Sequence, residues 1–449
     1  MQRRNLIKLS VASALASSSL MREAYAQYSS TLKVGDIPKN SAGQGRERYP
    51  SSLQNARVVV IGGGYGGATA SKYLSLLSNR KLKVTLIEPD TEFVSCPLSN
   101  LVIGGSKQMS DITLKYDLLQ RNYGTQIVKD FASSIDPVRR VVKTASGLVF
   151  PYDELILSPG VELLYSSVGG LLEAKTQGTI LQAWGAGNET QKLRLQLESL
   201  NNGEIFAITV PELPYRCPPG PYERASQVAH YFKHHKPKSK VIVVDANQDI
   251  TSKGALFKKF WRENYPNHLE YRPEHKVLEV DAKTNTLKFE IQDDLRAGLL
   301  NVLPAMRAGA IAVQTGLANV NNRWCEVNFL SFESSVAPHI HVLGDSIQAG
   351  PYMPKSAHMA NAHAKVAAAA IVSKLCDFEI NQHPFLTNTC YSFCDPEQAI
   401  YIASVHQYDS LEKTFKILPN AGGISGEASK AEGMFAFGWA KNIWADCLT

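Results

Sequence analysis

The chain has 449 residues, 44% of them hydrophobic and 20% charged, which is an ordinary composition for a folded protein. This composition excludes a disordered, collagen-like or coiled-coil chain, and the length allows roughly two to four domains. The net charge is only +6, and half of it lies in the first 26 residues, so a nucleic-acid-binding function is not indicated. After the N-terminus, no apolar run reaches the roughly 18 residues of a membrane span.

The N-terminus has the features of an export signal. The pair Arg3-Arg4 precedes a mildly apolar stretch, residues 9–20, and the small-x-small pattern Ala24-Tyr25-Ala26 follows. These features predict a twin-arginine-type signal peptide over residues 1–26 and a periplasmic protein. An ordinary secretory signal with two arginines is the alternative.

A dinucleotide-binding pattern opens the folded part of the chain. An apolar strand, a glycine-rich turn, a helix and a second strand follow one another over residues 57–88. Gly62, Gly64 and Gly67 satisfy G-x-G-x-x-G, and Glu88 lies where an acid binds a ribose hydroxyl. Because these glycines let backbone amides approach a pyrophosphate, the pattern predicts a dinucleotide site.

Two later motifs favour FAD over NAD as the dinucleotide. The Ser-Pro-Gly turn ending at Gly160 resembles the middle turn of flavoproteins with two dinucleotide domains. A second apolar strand ends in Gly344-Asp345, which in those proteins lies near the flavin ribityl chain and phosphates. The order of these three landmarks favours FAD, and the resemblance to those flavoproteins implies that Glu88 and Asp345 contact one and the same FAD.

A second strand–helix–strand unit lacks a recognisable nucleotide turn. Strands are predicted over residues 204–210 and 240–245, but the turn over residues 211–224 contains five prolines and one glycine. Proline has no amide hydrogen and a fixed φ, so this turn cannot offer a row of amides to a pyrophosphate. The sequence therefore argues against NAD(P)H, and the turn instead presents Cys217, with Glu223 just beyond it.

Three cysteines have distinctive sequence contexts. Cys96 follows the second strand, Cys217 lies in the proline-rich turn, and Cys390 lies in the segment Asn-Thr-Cys-Tyr-Ser. Dithiol reductases carry C-x-x-x-x-C near the position of Cys96, and its absence argues against their mechanism. Among the others, Cys325, Cys376 and Cys447 are expected to be small buried hydrophobic residues.

From about residue 55 onward, the chain resembles the flavoprotein subunit of flavocytochrome c sulfide dehydrogenase. The matching stretches are VVVIGGGYGGATASKYL, TLIEPDTEFVSCPLSN, PYRCPPGPYERASQVAHY, VLGDS, NTCYS and FGWAKNIWADCLT. The string Cys-Pro-Pro-Gly-Pro-Tyr-Glu-Arg is the most specific of them.

The resemblance implies a role for each cysteine of this set. Cys96 would form a thioether to the flavin, and Cys217 and Cys390 would form a redox-active disulfide beside it. Cys394 lies four residues after Cys390 and is an alternative partner for Cys217. Glu223 is a candidate proton acceptor, and its alternative role is that of a carboxylate favoured at a helix N-terminus.

The resemblance also implies a partner protein. The chain contains no C-x-x-C-H motif, so any haem c belongs to a separate cytochrome subunit. The spacing of His358 and His363 is not that of a persuasive metal pair, and no metal site is predicted.

The predicted fold class is α/β, with two Rossmann-like three-layer dinucleotide-type domains, as in glutathione reductase, and a small α+β C-terminal domain. The predicted parts are a signal peptide (1–26), a leader (27–51), a discontinuous FAD domain (52–160 and 300–375), a second dinucleotide-like domain without an NAD site (161–299) and a C-terminal domain (376–449).

The resulting prediction is an exported flavoprotein that oxidises sulfide to sulfur or polysulfide and reduces a c-type cytochrome subunit. Two alternatives stay open at this point. One is a sulfide:quinone oxidoreductase, and the other is an accessory flavoprotein of a thiosulfate-oxidising system.

Overall fold

Apolar, β-branched runs form the central strands of two separate parallel sheets. The computed structural model describes residues 49–449, so the predicted signal peptide and nearly all of the leader lie outside the described residues. Residues 50–449 form one compact unit.

The described residues contain 24 strands and ten α-helices. In chain order the strands are β1 (Arg57–Ile61), β2 (Lys83–Ile87), β3 (Glu92–Val94), β4 (Thr113–Lys115), β5 (Gln126–Val128), β6 (Ala132–Asp136), β7 (Val141–Thr144), β8 (Val149–Pro151), β9 (Glu154–Leu157), β10 (Val161–Leu163), β11 (Ile205–Val210), β12 (Lys240–Asp245), β13 (Leu269–Arg272), β14 (Val277–Asp281), β15 (Thr286–Phe289), β16 (Leu295–Arg296), β17 (Leu299–Asn301), β18 (Met306–Ala308), β19 (Val327–Asn328), β20 (Glu333–Ser334), β21 (Ile340–Val342), β22 (Phe385–Phe393), β23 (Ala399–Asp409) and β24 (Thr414–Ile424). The helices are α1 (Tyr65–Leu77), α2 (Ser99–Gly104), α3 (Asp117–Tyr123), α4 (Leu171–Gln177), α5 (Asn188–Ser199), α6 (Gly220–His235), α7 (Gly254–Asn264), α8 (Ala310–Gln314), α9 (Ala357–Leu375) and α10 (Lys430–Leu448).

The larger sheet has seven strands in the order β19-β20-β21-β9-β1-β2-β5. The five strands from β21 to β5 are parallel, and β19 and β20 extend one edge in antiparallel orientation. All four residues of β9 are buried, as expected for a parallel strand covered on both faces. The sheet therefore draws its strands from two distant stretches of chain, before β10 and after β18.

The second parallel sheet has four strands in the order β13-β12-β11-β17. Its apolar side chains pack with those of the small antiparallel sheet β14-β15-β16 and of α4 in one buried cluster. The helix after β11 begins at Gly220, inside the turn predicted over residues 211–224, because Pro221 is tolerated in the first turn of a helix.

The C-terminal part is an antiparallel sheet, β22-β23-β24, covered by α10. Helix α10 also packs against α1, and β22 contacts both α9 and α6. These contacts bring the C-terminal sheet against both parallel-sheet units. The predicted fold class is confirmed. Within the described residues, no helix is long and apolar enough to cross a membrane.

Candidate functional site

The loops that follow β1, β9 and β21 open into one cleft of about 310 Å³, which α6 and β22 close from other sides. This volume lies within the range of small-molecule sites. Ten of the eleven predicted site residues line the cleft: Gly62, Gly64, Glu88, Cys96, Gly160, Cys217, Glu223, Gly344, Asp345 and Cys390. The exception is Gly67.

The three glycines of the G-x-G-x-x-G motif have different surroundings. Gly62 has φ +90°, which favours glycine, and it turns the chain out of β1. Gly64 precedes α1, and a Cβ atom there would meet nothing within 4 Å. A Cβ atom on Gly67 would lie 1.8 Å from the Gly62 carbonyl oxygen, so Gly67 lets α1 pack against the turn.

Glu88 braces the glycine turn from the end of β2. Its Oε2 accepts a hydrogen bond from the Gly63 amide at 2.5 Å, and its Oε1 accepts one from the Asp90 amide at 2.9 Å. The Tyr116 hydroxyl donates to the Gly63 carbonyl at 3.0 Å. Burial raises the pKa of Glu88, and the two amide bonds oppose that effect. The carboxylate thus orients the turn at the cleft wall.

Three buried polar atoms of residues that line the cleft have no hydrogen-bond partner among the described residues. They are Oδ1 of Asp345, Nε of Arg216 and Nε1 of Trp184. Because buried polar groups are almost always hydrogen-bonded, unpaired atoms at a cleft indicate a polar ligand. Together with the free space at Gly64, this acceptor and this cationic donor fit the sugar-alcohol and phosphate groups of the predicted FAD.

Cys217 is presented by a tightly held loop. Its φ is +58°, its amide donates to the Lys355 carbonyl at 2.8 Å, and its own carbonyl accepts from the Gly220 amide at 2.8 Å. A Cβ atom on Gly220 would lie 2.6 Å from Cη2 of Trp184 and 3.0 Å from the Cys217 sulfur, so glycine is needed there. Burial and the nearby Cys390 raise the pKa of the Cys217 thiol.

Cys390 reaches the same cleft from β22. Cys394 is buried next to this strand and does not line the cleft. All seven cysteines lie among the described residues and carry free thiols. This geometry favours Cys390 over Cys394 as the neighbour of Cys217. A disulfide between Cys217 and Cys390 stays a prediction.

Cys96 lies between β3 and α2 and also lines the cleft. Leu98, with φ +72°, directs the chain into α2, whose residue Asn100 faces the same cleft. The charges of Cys96, Asp345 and Cys217 raise the pKa of Arg216 against the effect of burial. Arg216 is thus a cation close to Cys96, the predicted flavin-linking residue, and to Cys217, one of the two predicted redox cysteines.

Glu223 joins α6 to two other elements. Its Oε1 accepts from the Phe393 amide of β22 at 2.8 Å, and its Oε2 accepts from Nδ2 of Asn100 at 2.8 Å. Burial raises the pKa of Glu223, which these donors lower. Both oxygens are therefore engaged in holding the cleft together, and proton transfer by Glu223 stays a prediction.

Four cleft or near-cleft residues were missed by sequence reasoning: Trp184, Arg216, Arg224 and Lys253. The Arg224 side chain is fully buried and donates to Asn100, Asn301 and two main-chain carbonyls. Burial lowers its pKa to about 9. Arg224 ends the Cys-Pro-Pro-Gly-Pro-Tyr-Glu-Arg string, so sequence analysis could have identified it. Trp184 and Lys253 belong to no motif.

The nucleotide position of the second parallel sheet is filled by aromatic side chains. Asp245 ends β12, and its Oδ2 accepts from the hydroxyls of Tyr222 at 2.6 Å and Tyr271 at 3.0 Å. Tyr222 also packs against Phe257 and Trp261. The acid at the end of β12 is thus occupied by hydroxyl groups of the protein itself, and the lack of an NAD(P)H site stays a prediction.

The two histidines of α9 are hydrogen-bond acceptors. Nδ1 of His358 accepts from the Thr389 amide at 2.8 Å, and Nδ1 of His363 accepts from the Gly344 amide at 3.3 Å. Burial lowers the pKa of both, to about 3 for His363. They position β22 and the Gly344 turn around the cleft.

Comparison with known sequences places three families along the chain. Residues 190–304 match the central part of the sulfide dehydrogenase [flavocytochrome c] flavoprotein chain. Residues 382–448 match the flavin-binding part of flavocytochrome c sulphide dehydrogenase. Residues 56–198 match the pyridine nucleotide-disulphide oxidoreductases.

Individual relatives agree with these matches. Over 46 residues the chain is 59% identical to the sulfide dehydrogenase [flavocytochrome c] flavoprotein chain of Chlorobaculum thiosulfatiphilum, covering 10% of this chain and 94% of that sequence. It is 24% identical over 333 residues to the mitochondrial sulfide:quinone oxidoreductase of Dictyostelium discoideum, covering 71% of each.

A solved structure shows the same fold. The sulfide:quinone oxidoreductase from Aquifex aeolicus superposes with a TM-score of 0.73 at 19% identity, covering 87% of this chain and 91% of that chain. Two parts of the chain match flavocytochrome c sulfide dehydrogenase specifically, and a relative of that name is 59% identical over 46 residues. The chain therefore belongs to the family of flavocytochrome c sulfide dehydrogenase flavoprotein chains.

Proposed function

We propose that this protein is an exported, FAD-dependent sulfide dehydrogenase that passes electrons to a c-type cytochrome subunit. The observation that carries the proposal is the meeting of Cys217 and Cys390 in the cleft that also holds the flavin-binding landmarks. Relatives named as sulfide dehydrogenase and as sulfide:quinone oxidoreductase support sulfide as the substrate. Export rests on the sequence of residues 1–26, which lie outside the described residues.

The proposed chemistry begins with a disulfide between Cys217 and Cys390. Hydrosulfide attacks one sulfur, so that the disulfide bond breaks, a persulfide forms on the attacked cysteine, and the other cysteine leaves as a thiolate. The electron pair of the broken bond stays on that thiolate, so charge is conserved. Growth towards polysulfide would require the thiolate and the persulfide to lose two electrons, for which FAD would be the acceptor, and to form a sulfur–sulfur bond again before another hydrosulfide attacks.

The FAD would be held by the glycine turn, Glu88, Asp345 and Arg216, with Cys96 as the covalent link. When bound, FAD supplies an acceptor for two electrons that can release them singly to haem. Arg216 would attract anions into the cleft, because its Nε has no hydrogen-bond partner and its charge lies close to Cys96 and Cys217. Trp184 and Cys217 both lie close to Gly220, where a larger residue would collide with them.

The partner surface is proposed on α10. Met434 and Phe435 are 68% and 60% exposed, although both are large apolar residues. They lie on the helix that carries Trp439, which lines the cleft. An exposed apolar patch beside the redox site is suited to docking a cytochrome.

Sulfide:quinone reductase activity is the second candidate, favoured by the long alignments with such enzymes. Purified protein would be assayed with sulfide and either a c-type cytochrome or a short-chain quinone. Faster reduction of cytochrome supports the proposal, and turnover with quinone alone replaces it. Reduction of neither acceptor would favour an accessory flavoprotein.

The first experiment asks whether flavin is covalently bound. The protein is denatured in acid, and the flavin-containing peptide is mapped by mass spectrometry. Flavin on the Cys96 peptide, lost from the polypeptide in Cys96→Ser, supports the proposed linkage. Release of free flavin from the wild-type protein would contradict it.

A further inference from the structure

Lys253 combines two unfavourable features at one position. It is 5% exposed, and its φ of +59° lies in the left-handed region that non-glycine residues seldom adopt. Burying an ammonium group and holding such a backbone both cost free energy, and strained positions cluster at functional sites. The residue precedes α7 and belongs to no motif of the sequence.

The ammonium group of Lys253 reaches across to β22. Its Nζ donates to the main-chain carbonyl of Cys390 at 3.0 Å and to Oγ of Ser392 at 2.8 Å. Neither acceptor carries a charge. The nearby Glu223 engages its carboxylate oxygens with Phe393 and Asn100 instead. The positive charge is therefore fixed beside Cys390 without a carboxylate bonded to it in these contacts.

The groups around Cys390 come from three other elements. Lys253 lowers the pKa of the Cys390 thiol, Glu223 of α6 raises it, and burial raises it most. Cys217, in the loop before α6, faces Cys390 and is affected by the same two charges. His358 of α9 offers an unprotonated Nδ1 to the neighbouring Thr389 amide. Lys253 is thus the cation of this set that acts on Cys390.

We propose that Lys253 is a positioning residue for Cys390: it anchors β22 at the cleft and stabilises the Cys390 thiolate when the cysteine pair is reduced. This inference rests on the proposed redox role of Cys390. Reduction of the disulfide by hydrosulfide breaks one sulfur–sulfur bond, forms another and releases a thiolate, and a fixed cation stabilises that charge inside a buried cleft.

The test measures the reactivity of Cys390 and needs no turnover. Reduced holoprotein is treated with iodoacetamide over a range of pH, and alkylation of the Cys390 peptide is followed by mass spectrometry. In Lys253→Met we expect the pH midpoint to rise by about one unit, with about tenfold slower alkylation below it, since only the thiolate reacts.

Three further variants separate charge from structure. Lys253→Gln keeps a donor without the charge and is expected to shift the midpoint as methionine does. Lys253→Arg keeps the charge and is expected to restore it towards the wild-type value. Lys259→Met removes an exposed lysine of α7, paired with Glu427, and is expected to change nothing.

A wild-type midpoint in a folded Lys253→Met or Lys253→Gln protein overturns the inference, with folding verified by circular dichroism and thermal unfolding. An arginine variant that behaves like the neutral variants also overturns it. If the midpoint shifts but wild-type protein does not oxidise sulfide, the proposed function fails and the role of Lys253 stands. If the wild-type protein oxidises sulfide but the neutral variants keep the wild-type midpoint, the proposed function stands and the role of Lys253 fails.

Discussion

At the scale of single residues, the glycines of the G-x-G-x-x-G turn are required for different structural reasons. Gly64 leaves open space at the cleft, whereas Gly67 is needed because the Gly62 carbonyl lies against its Cα. The motif predicts all three glycines without distinguishing them. Only the distances between backbone atoms separate a glycine that admits a ligand from one that packs a helix.

This difference predicts contrasting effects for two alanine substitutions. Gly67→Ala forces its methyl group into the Gly62 carbonyl and should lower the free energy of unfolding by about 3 kcal/mol or more. Gly64→Ala should change stability by less than about 1 kcal/mol but weaken flavin retention, because its methyl group stands at the cleft wall. Urea unfolding and bound flavin per protein measure the two effects, and equal destabilisation by both would contradict this assignment.

Glu223 provides a second prediction at this scale. Glu223→Gln keeps the shape of the side chain but turns one acceptor into a donor, facing either the Phe393 amide or Asn100. A buried donor without an acceptor should lower the free energy of unfolding by about 1–3 kcal/mol. Chemical denaturation measures this loss, and Glu212→Gln, at an exposed residue of the loop that precedes α6, serves as the control. Unchanged stability would show that the bridging contacts contribute little.

At the scale of elements, a charged cluster supports the edge of the larger sheet. Glu154 of β9 is buried and accepts from Nδ1 of His339 at 2.9 Å and Nε2 of His341 at 3.0 Å. Lys374 of α9 lies 3.1 Å from both Glu154 and Glu333. The cluster therefore ties the three strands β9, β20 and β21 to helix α9.

The cluster predicts a pH-dependent contribution to stability. Its hydrogen bonds and charges lower the pKa of Glu154 to about 2, although burial opposes them. A carboxyl group with a lowered folded-state pKa stabilises the fold above its ordinary pKa of 4.5, and this contribution is lost as the pH falls towards 2. Glu154→Gln should therefore destabilise the protein by about 1–3 kcal/mol at pH 7.

The difference between wild type and Glu154→Gln should shrink as the pH is lowered from 5 to 3, measured by denaturant unfolding at each pH. Asp117→Asn is a suitable control, because this carboxylate is 54% exposed and forms only a surface pair with Arg121. A difference that is constant over this pH range would exclude the proposed electrostatic origin.

At the scale of the whole molecule, the second parallel sheet supports the loop that carries Cys217. Tyr222 and Tyr271 occupy Asp245 at the end of β12, and the proline-rich loop above them projects Cys217 into the cleft. We therefore expect no reduction of the flavin by NADH or NADPH, monitored by absorbance under anaerobic conditions, and reduction by sulfide in the same preparation. Stoichiometric reduction by either nucleotide would contradict this expectation.

The exposed end of α10 carries the prediction on the partner. Met434→Glu and Phe435→Glu should weaken binding of the cytochrome subunit at least about tenfold, since each buries a charge in an apolar contact. Flavin content and sulfide-dependent flavin reduction should stay unchanged. Leu411→Glu, at a site that is 93% exposed on the β23–β24 turn, is the control. Equal binding by all four proteins in a pull-down titration would place the partner elsewhere.

The sequence by itself determined the local features of this protein. The glycine turn, the strand ending in Glu88 and the proline-rich loop are encoded by neighbouring residues, because backbone conformation follows from side-chain shape and spacing. The three cysteines and the absence of an NAD-type turn could be read in the same way. The start of α6 could not, since Pro221 permits a helix as well as a turn.

Only the tertiary structure decided which of these features meet. Cys217 and Cys390 come together because β22 packs against α6, and Lys253 reaches Cys390 from a third element. No local pattern records such contacts, since they depend on how separately formed sheets and helices bury their apolar faces against one another. The residue types that give the cleft its chemistry can therefore be identified from the sequence. Which of them meet in the cleft depends on how the sheets and helices pack.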